Sequence, residues 1–422
     1  MPDTITELKS APEVTLGTPE VKSPEVKLDT PEGKLGAELI AGLGEKPVEQ
    51  KIAPKQEVKP ASPIEPVKRA LRDGFGEGIM LAAQENPDVV ALCADLTESN
   101  KLDKFKKEYP SRFVEVGIAE QNLIGVAAGM AHVGKTAFAA SFAVFSPGRS
   151  WDQVRVSVCY SNADVKVVGG HAGITVGQDG ATHQALEDIA IMRCLPRMTV
   201  IVPADAIEMR KATVAAAKFK GPVYLRSGRE KFPQVTSEET PFEIGKAVTL
   251  RRGNDVAIIA CGNLVSEAII AADTLAKEKI SARIINMHTI KPLDERAVLD
   301  AAHDTGAIVT VEEHQIIGGL GSAVAEVIAT HLPVPMERVG VRDTFGESGT
   351  SAELLDKYGL RAQDIVLAVR QALMRKEHHD IGKREVLKVP AAVVKTLKKV
   401  KVASQRKTRA KAKPQKPLRK RK

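Results

Sequence analysis

Between residues 67 and 376, short apolar runs rich in Val and Ile alternate with stretches whose apolar positions recur every three to four residues. That alternation predicts strand–helix units on a parallel sheet. Strands are expected first at Val89–Cys93, Phe113–Val116, Thr136–Ala140, Val165–Val168, Thr199–Val202 and Val223–Leu225. The helices among them fall at Val67–Glu85, Ala119–Ala131, Arg149–Cys159, Gln184–Arg193 and Ala206–Lys218. Around Phe232–Phe242 the pattern lapses into Pro, Thr and Glu, which reads as a linker, placed at 235–241. A second series follows, with strands at Val256–Ala260, Ala282–Ile285, Ile308–Val311 and Arg338–Val341. Its helices lie near Val265–Ala276, Asp294–His303, Ser322–Thr330 and Ala362–Leu373. The expected fold class is α/β: two doubly wound, mainly parallel-sheet domains, over 67–234 and 242–376. In such sheets ligands sit beyond the carboxyl ends of the strands, so the loops that follow strands are where chemistry is sought.

Both ends of the chain lack this pattern. Residues 1–66 contain ten prolines and a loose PEV repeat that begins at Pro12, Pro19 and Pro24. Proline blocks helix interiors and withholds a backbone donor, so a disordered, extended arm serving as a tether is expected. Residues 377–422 form a basic low-complexity tail. Within it, 383–422 carry 17 Lys and Arg against the single acid Glu385, a net of +16; the whole chain is +8, which leaves −8 for the remainder. The positive charge belongs to a tail, not to the globule. Such a segment could attract nucleic acid by counterion release, but charged runs are commonly solvated appendages, and that simpler reading is adopted.

Composition narrows the class further. A chain that is 43% hydrophobic and 27% charged is neither collagen-like nor wholly disordered. Its four cysteines, Cys93, Cys159, Cys194 and Cys261, lie far apart with no C-x-x-C pair. Zinc clusters and redox dithiols are thereby disfavoured, and buried thiols in a reducing, cytoplasmic setting are expected. The most apolar stretch, Val126–Phe145, is interrupted by His132 and Lys135, so no membrane span is expected. The first ten residues include Asp3 and Glu7 and no apolar core, unlike a signal peptide.

Five of the post-strand loops are chemically loaded. Asp95 and Ser99 follow the first strand, Glu120 the second, and Phe142 and Phe145 the third. The fourth leads into the Gly-rich run Gly169–Gln184, which holds His171, Asp179 and His183; the sixth ends at Arg226, Ser227, Gly228 and Arg229. Each has an ordinary explanation. An acid in the first turn of a helix is favoured by the macrodipole, Asp95 could cap or turn, and loop phenylalanines are usually core. Two histidines flanking an aspartate in a glycine-dense loop are harder to dismiss, although their spacing matches no metal motif. Arg229 alone could be a surface ion pair of little consequence.

Taken in order, these segments resemble the transketolase family. The carriers are Gly117-Ile118-Ala119-Glu120-Gln121-Asn122, the Ser141–Phe145 run, Trp151–Arg155, His171–Asp188, Arg193–Pro196, Val202–Asp205 and Pro222–Glu230. The likeness continues through His288–Pro292, Val311–His314, Gly318–Gly321 and Phe345–Gly349. It spans nearly all of 67–375 and resembles the C-terminal half of the enzyme, which occurs as a separate subunit in split transketolases. The family's GDG and Asn-Asn signatures, which hold the diphosphate and its metal, are missing from this sequence. Gly319-Leu320-Gly321 is a bare G-x-G and weak evidence for a dinucleotide.

The resemblance implies a cofactor, partners and roles. Thiamine diphosphate would be met at its pyrimidine end, with Mg2+ or another divalent cation held by a separate N-terminal subunit in an α2β2 assembly; no metal ligand is assigned to this chain. The implied reaction moves a two-carbon ketol unit from a ketose phosphate to an aldose phosphate, as in the pentose phosphate pathway. Glu120 matches the acid that activates the aminopyrimidine, and Phe142, with Phe145 beside it, the ring that stacks on it. Asp95 lies in a cofactor-side loop. His183 and His171 match groups that move protons on the sugar, and Asp179 the carboxylate that reads a sugar hydroxyl. Arg72, Ser99 and Arg229 match the clamp on the sugar phosphate, a task suited to guanidinium forks; Arg226 is near enough to exchange with Arg229. Two cofactor-sharing alternatives are a deoxyxylulose-phosphate synthase and the β subunit of a 2-oxoacid dehydrogenase. The first usually carries Asp-Arg where this chain has His171-Ala172, and the second lacks the His171, Asp179, His183 loop. The non-enzyme alternative is an inactive scaffold whose basic tail recruits nucleic acid.

Overall fold

The computed structural model describes residues 65–386, with side chains from 67 to 378. The expected N-terminal arm and most of the basic tail lie outside the described residues.

The chain enters as strand β1 (Glu65–Ala70) and turns directly into helix Leu71–Glu85. The helix expected from Val67 therefore begins only at Leu71, after a strand. Residues 65–70 pair antiparallel with β8 (Lys231–Gln234), a partner so far along the chain that no local pattern announces it. Between them run β2 (Val89–Cys93), β3 (Phe113–Glu115), β4 (Thr136–Phe142), β5 (Val165–Gly170), β6 (Thr199–Ile201) and β7 (Val223–Arg226). Strands β2, β4 and β5 are buried throughout their length, as expected for a parallel sheet covered on both faces. Helices Glu120–His132, Asp188–Arg193 and Ala206–Lys218 cover it. The segment expected to be a plain helix from Arg149 begins at Trp151 and widens into a π-helix over Val154–Tyr160.

The second sheet contains β9 (Val248–Arg251), β10 (Val256–Ala260), β11 (Ala282–Asn286), β13 (Ile308–Gln315) and β14 (Met336–Val341), in the order β14-β13-β10-β11-β9. All pair parallel except β9. Strand β12 (Thr289–Lys291) leaves this sheet and pairs antiparallel with β6, so the first sheet has the order β12-β6-β7-β5-β4-β2-β3. Lys291 strengthens that crossing by donating to the carbonyls of Arg193, at 3.0 Å, and Leu195. The last helix, expected to end at Leu373, runs over Ala362–Val386.

Two further buried groups tie the halves. Glu208, in helix Ala206–Lys218, accepts from the Ala204 amide at 2.7 Å and from Asn286 Nδ2, at the end of β11, at 2.8 Å. His288 is fully buried, and its carbonyl accepts from the Val202 amide at 2.7 Å; its ring lies face to face with Phe242, centroids 4.4 Å apart, and burial holds its pKa down to about 4. Of the four thiols, Cys93, Cys159 and Cys261 are buried as expected, and Cys194 is exposed. Among the described residues no helix is long and apolar enough to cross a membrane.

Candidate active site

Strands β2, β3, β4, β5 and β7 run parallel, so the loops after them emerge at one edge of the sheet. Those loops bring most of the candidate residues together. Glu120 is the first residue of its helix, where the free backbone N–H groups favour a carboxylate. It is only 3% exposed, and Oε2 meets Arg149 Nη1 at 3.4 Å. Arg149 in turn lies over the Phe145 ring, 4.4 Å from its centroid.

Phe142 ends β4, and Phe145 follows one turn later, their rings stacked at 5.9 Å. His171, the residue after β5, is stacked on Phe142 at 3.9 Å. His183 presents its edge to Phe145 at 5.3 Å and to Phe142 at 6.4 Å, with Thr182 Oγ1 bonded to its Nδ1 at 2.9 Å. A carboxylate, two phenyl rings and two imidazoles thus form a continuous wall.

Cations border that wall on one side. Burial, and after it the charges of Arg72, Arg229 and His183, push His171 down to about 3. It is neutral at any physiological pH. Its Nδ1 is buried and unpartnered, and so is Arg72 Nε, while Arg72 Nη1 donates to the Ser99 carbonyl at 3.3 Å. Unsatisfied buried polar atoms beside guanidinium groups fit an oxygen-rich anion that supplies the missing partners. Arg229 Nη1 donates to the Val176 carbonyl at 3.0 Å and to Asp179 Oδ2 at 3.1 Å.

Two candidates are placed differently from the rest. Arg226 is not interchangeable with Arg229: it is buried, paired bidentately with Asp188, and donates to the Glu313 carbonyl at 2.9 Å. Asp95 is exposed, in a left-handed conformation (φ +56°), and its carboxylate hydrogen-bonds to none of the other candidates. Its backbone N–H is held by Glu115 Oε1 at 2.7 Å, and Glu115 also takes the Thr97 hydroxyl and the Gly117 amide.

Sequence reasoning missed Arg149, Glu115, Asp188 and Glu313. Glu115 ends β3 two residues before the Gly117–Asn122 run, and Arg149 follows the Ser141–Phe145 run by four, so nearness to the loaded loops was the available hint. Asp188 and Glu313 fall in segments that carry the family resemblance, but they are buried charges whose partners lie 38 and 138 residues away, and no local pattern marks that pairing.

A pyrimidine ring fits the wall: Glu120 offers a carboxyl for a ring nitrogen and Phe142 and Phe145 offer apolar faces. Among the described residues no three His, Cys, Asp or Glu converge to hold a cation. A cavity of about 710 Å³ opens beside Arg229 and is lined by Lys68, Lys231 and Arg361, and by neither Glu120 nor Phe142. The ring wall itself therefore lies outside it.

Residues 67–234 match the model of the transketolase pyrimidine-binding domain, and residues 245–365 that of the transketolase C-terminal domain. The chain is 46% identical over 306 residues to the 6-deoxy-6-sulfo-D-fructose transketolase subunit SqwH of Clostridium sp. (strain MSTE9), covering 72% of this chain and 95% of that one. It is 41% identical over 297 residues to a subunit of the apulose-4-phosphate transketolase of Phocaeicola vulgatus, covering 70% and 95%. A solved split-gene transketolase, described as an inactive β4 tetramer, is 49% identical with a TM-score of 0.69 over 73% of this chain and 99% of that one.

Proposed function

Since the chain belongs to the transketolase family, as a separate subunit that corresponds to the enzyme's C-terminal half, we propose that it supplies the pyrimidine-facing wall of a thiamine-diphosphate site completed by a companion subunit. The observation that carries this reading is the convergence of Glu120, Phe142, Phe145, His171 and His183 on one open edge of the sheet. When bound, the cofactor supplies a carbon nucleophile that takes a two-carbon unit from a ketose phosphate and delivers it to an aldose phosphate.

This chain's part is binding and proton movement. Glu120 hydrogen-bonds the pyrimidine ring nitrogen, and Phe142 with Phe145 orients the ring. Asp95 stays on the cofactor side of the edge. His183 accepts and returns protons at sugar hydroxyls, and His171, neutral, hydrogen-bonds the sugar beside it. Asp179 reads a hydroxyl, and Arg72, Ser99 and Arg229 hold the terminal anion. The two relatives named above act, by their names, on a sulfonated ketose and on a ketose phosphate; both carry such an anion.

The surface next to Glu120 supports a companion. Along helix Glu120–His132 a Cβ added at Gly125 or Gly129 would meet nothing, and Ile118 (75% exposed) and Val133 (78%) flank the helix. The π-helix packs beside it, with Val156 and Tyr160 exposed. Large exposed apolar side chains grouped this way mark an interaction site. The companion covers this face and brings the diphosphate and Mg2+ ligands in an α2β2 complex within the cytoplasm. Without the companion the assembly is idle, as the β4 tetramer of the split-gene relative is described to be.

Calorimetric titration with thiamine diphosphate and Mg2+ tests the division of labour. The chain mixed with a companion that carries the GDG and Asn-Asn signatures binds the cofactor tightly, and the chain alone does not. Equal affinity in both samples contradicts the proposal.

A further inference from the structure

The loop that carries His171, Asp179 and His183 is held by the second half of the chain. Thr175 gives both its main-chain groups to side chains from that half. Its N–H donates to Glu313 Oε1 at 2.8 Å, and its carbonyl accepts from Ser351 Oγ at 2.9 Å. Gln184 adds a third tie, donating through Nε2 to the carbonyls of Ile174 (3.1 Å), Gly177 (3.3 Å) and Glu347 (2.9 Å). The fit is close enough to demand glycine. Gly173 has φ +90°, and a Cβ there would run into the Glu313 carboxylate; a Cβ on Gly180 would stand 2.6 Å from Ser348 Oγ.

On its other side the loop is pinned to its own sheet. The Ala172 amide donates to the Ser227 carbonyl at 3.0 Å, and the Gly173 amide to the Ala185 carbonyl at 2.9 Å. His171 itself sits at φ +51°, a region that residues with a Cβ occupy only when their surroundings hold them. Glu313 is 2% exposed. A buried carboxylate is costly unless hydrogen-bonded, and its oxygens accept from the Thr175 amide and, at 3.5 Å, from Asn263 Nδ2. Its carboxylate hydrogen-bonds to no group of the ring wall.

We propose that Glu313 and Ser351 are positioning residues for sugar recognition. Through Thr175 they hold the 171–183 loop in the one shape that sets His171, Asp179 and His183 around the substrate. The proposal rests on reading that loop as the sugar site. It assigns a role to the second sheet, which contributes none of the candidate groups, and to the Val311–His314 motif.

Two substitutions separate this role from simple charge burial. Glu313→Asp keeps the charge but falls short of the Thr175 amide by one methylene, about 1.5 Å. Glu313→Gln loses the charge but keeps both the reach and an acceptor. In the complex with the companion subunit, Glu313→Asp raises the KM for sugar phosphates about tenfold, as expected for one lost bond to a charged acceptor. Thiamine diphosphate affinity is unchanged, whereas Glu313→Gln behaves as wild type within about twofold. Hydrogen exchange gives a second readout that needs no turnover: residues 171–183 exchange faster in Glu313→Asp and unchanged in Glu313→Gln, with helix Glu120–His132 unaffected in both. A normal Asp variant with a defective Gln variant overturns the proposal in favour of charge. So does a uniform loss in which KM, cofactor affinity and exchange in helix Glu120–His132 all change together. A wild-type complex that transfers no two-carbon unit refutes the functional reading instead, and the exchange result still decides the brace.

Discussion

Arg226 and Asp188 form a buried bidentate pair, Nε to Oδ2 at 2.7 Å and Nη2 to Oδ1 at 3.1 Å, and the Tyr224 hydroxyl donates to the same carboxylate at 2.7 Å. The pair is satisfied without any ligand, and this separates the two arginines that the sequence leaves interchangeable. Arg229, half-buried at the edge, is free to turn from Asp179 toward an anion. Arg229→Ala is expected to raise the KM for phosphorylated sugars by tenfold or more, about 1.4 kcal/mol or above, with an unchanged melting temperature. Arg226→Ala leaves a buried carboxylate without its cation and is expected to cost about 3–5 kcal/mol of stability. Thermal melts beside steady-state kinetics distinguish the two; the reverse assignment would show as a stable Arg226 variant with poor sugar affinity.

The proposed role of Glu120 is on the cofactor and not in the fold. Among the described residues its one side-chain partner is Arg149, at 3.4 Å and half exposed. Glu120→Ala is therefore expected to abolish two-carbon transfer, by at least about a hundredfold as for a lost proton-transfer group, while the variant still assembles with its companion. Size-exclusion chromatography and a turnover assay check both halves. Turnover near the wild-type rate removes Glu120 from the mechanism.

His171 is held near 3 by burial and by the arginines around it, so it carries no proton change across the working range. Its loss should lower the rate without reshaping the pH profile. The logarithm of kcat/KM for His171→Asn, plotted from pH 5 to 9, is expected to run parallel to the wild-type curve below it. A limb that vanishes in the variant would show that His171 titrates after all.

Burial pushes the Glu208 carboxyl up to about 7 from an ordinary 4.5. Between those two values the folded protein keeps a proton that the unfolded chain has released. Glu208 thus supports the fold fully below about pH 4.5, and that support is lost as the pH rises through 7. Glu208→Gln removes the titration: its amide oxygen accepts from Ala204, and its NH2 can donate to Asn286 Oδ1, a buried atom with no partner. Calorimetric melts should show the variant gaining on wild type from pH 5 to 8 and levelling off beyond. A difference that does not vary with pH contradicts this account of the Glu208–Asn286 contact.

Much of this architecture is legible along the chain because its causes are local. The strands at Val89–Cys93 and Val256–Ala260 are apolar at every position, and the loops after parallel strands share an edge by topology alone. Glu120, Phe142, His171 and His183 could be brought together on paper for that reason. What escapes are features made by distant pairing. Glu65–Ala70 is a strand only because Lys231–Gln234 lies beside it, and Thr289–Lys291 only because β6 offers an edge. Arg226 differs from Arg229 by a burial that depends on Asp188 and Glu313, and Thr175 depends on Ser351, 176 residues away.

The central claim is that this subunit owns one wall of an active site and borrows the other. The direct measurement is two-carbon transfer from a ketose phosphate to an aldose phosphate, with thiamine diphosphate and Mg2+ present, by the purified chain alone, by the companion carrying the GDG and Asn-Asn signatures alone, and by the two mixed. The account predicts activity in the mixture only, rising with the companion until the two are equimolar. Transfer by the isolated chain at the rate of the mixture would contradict it.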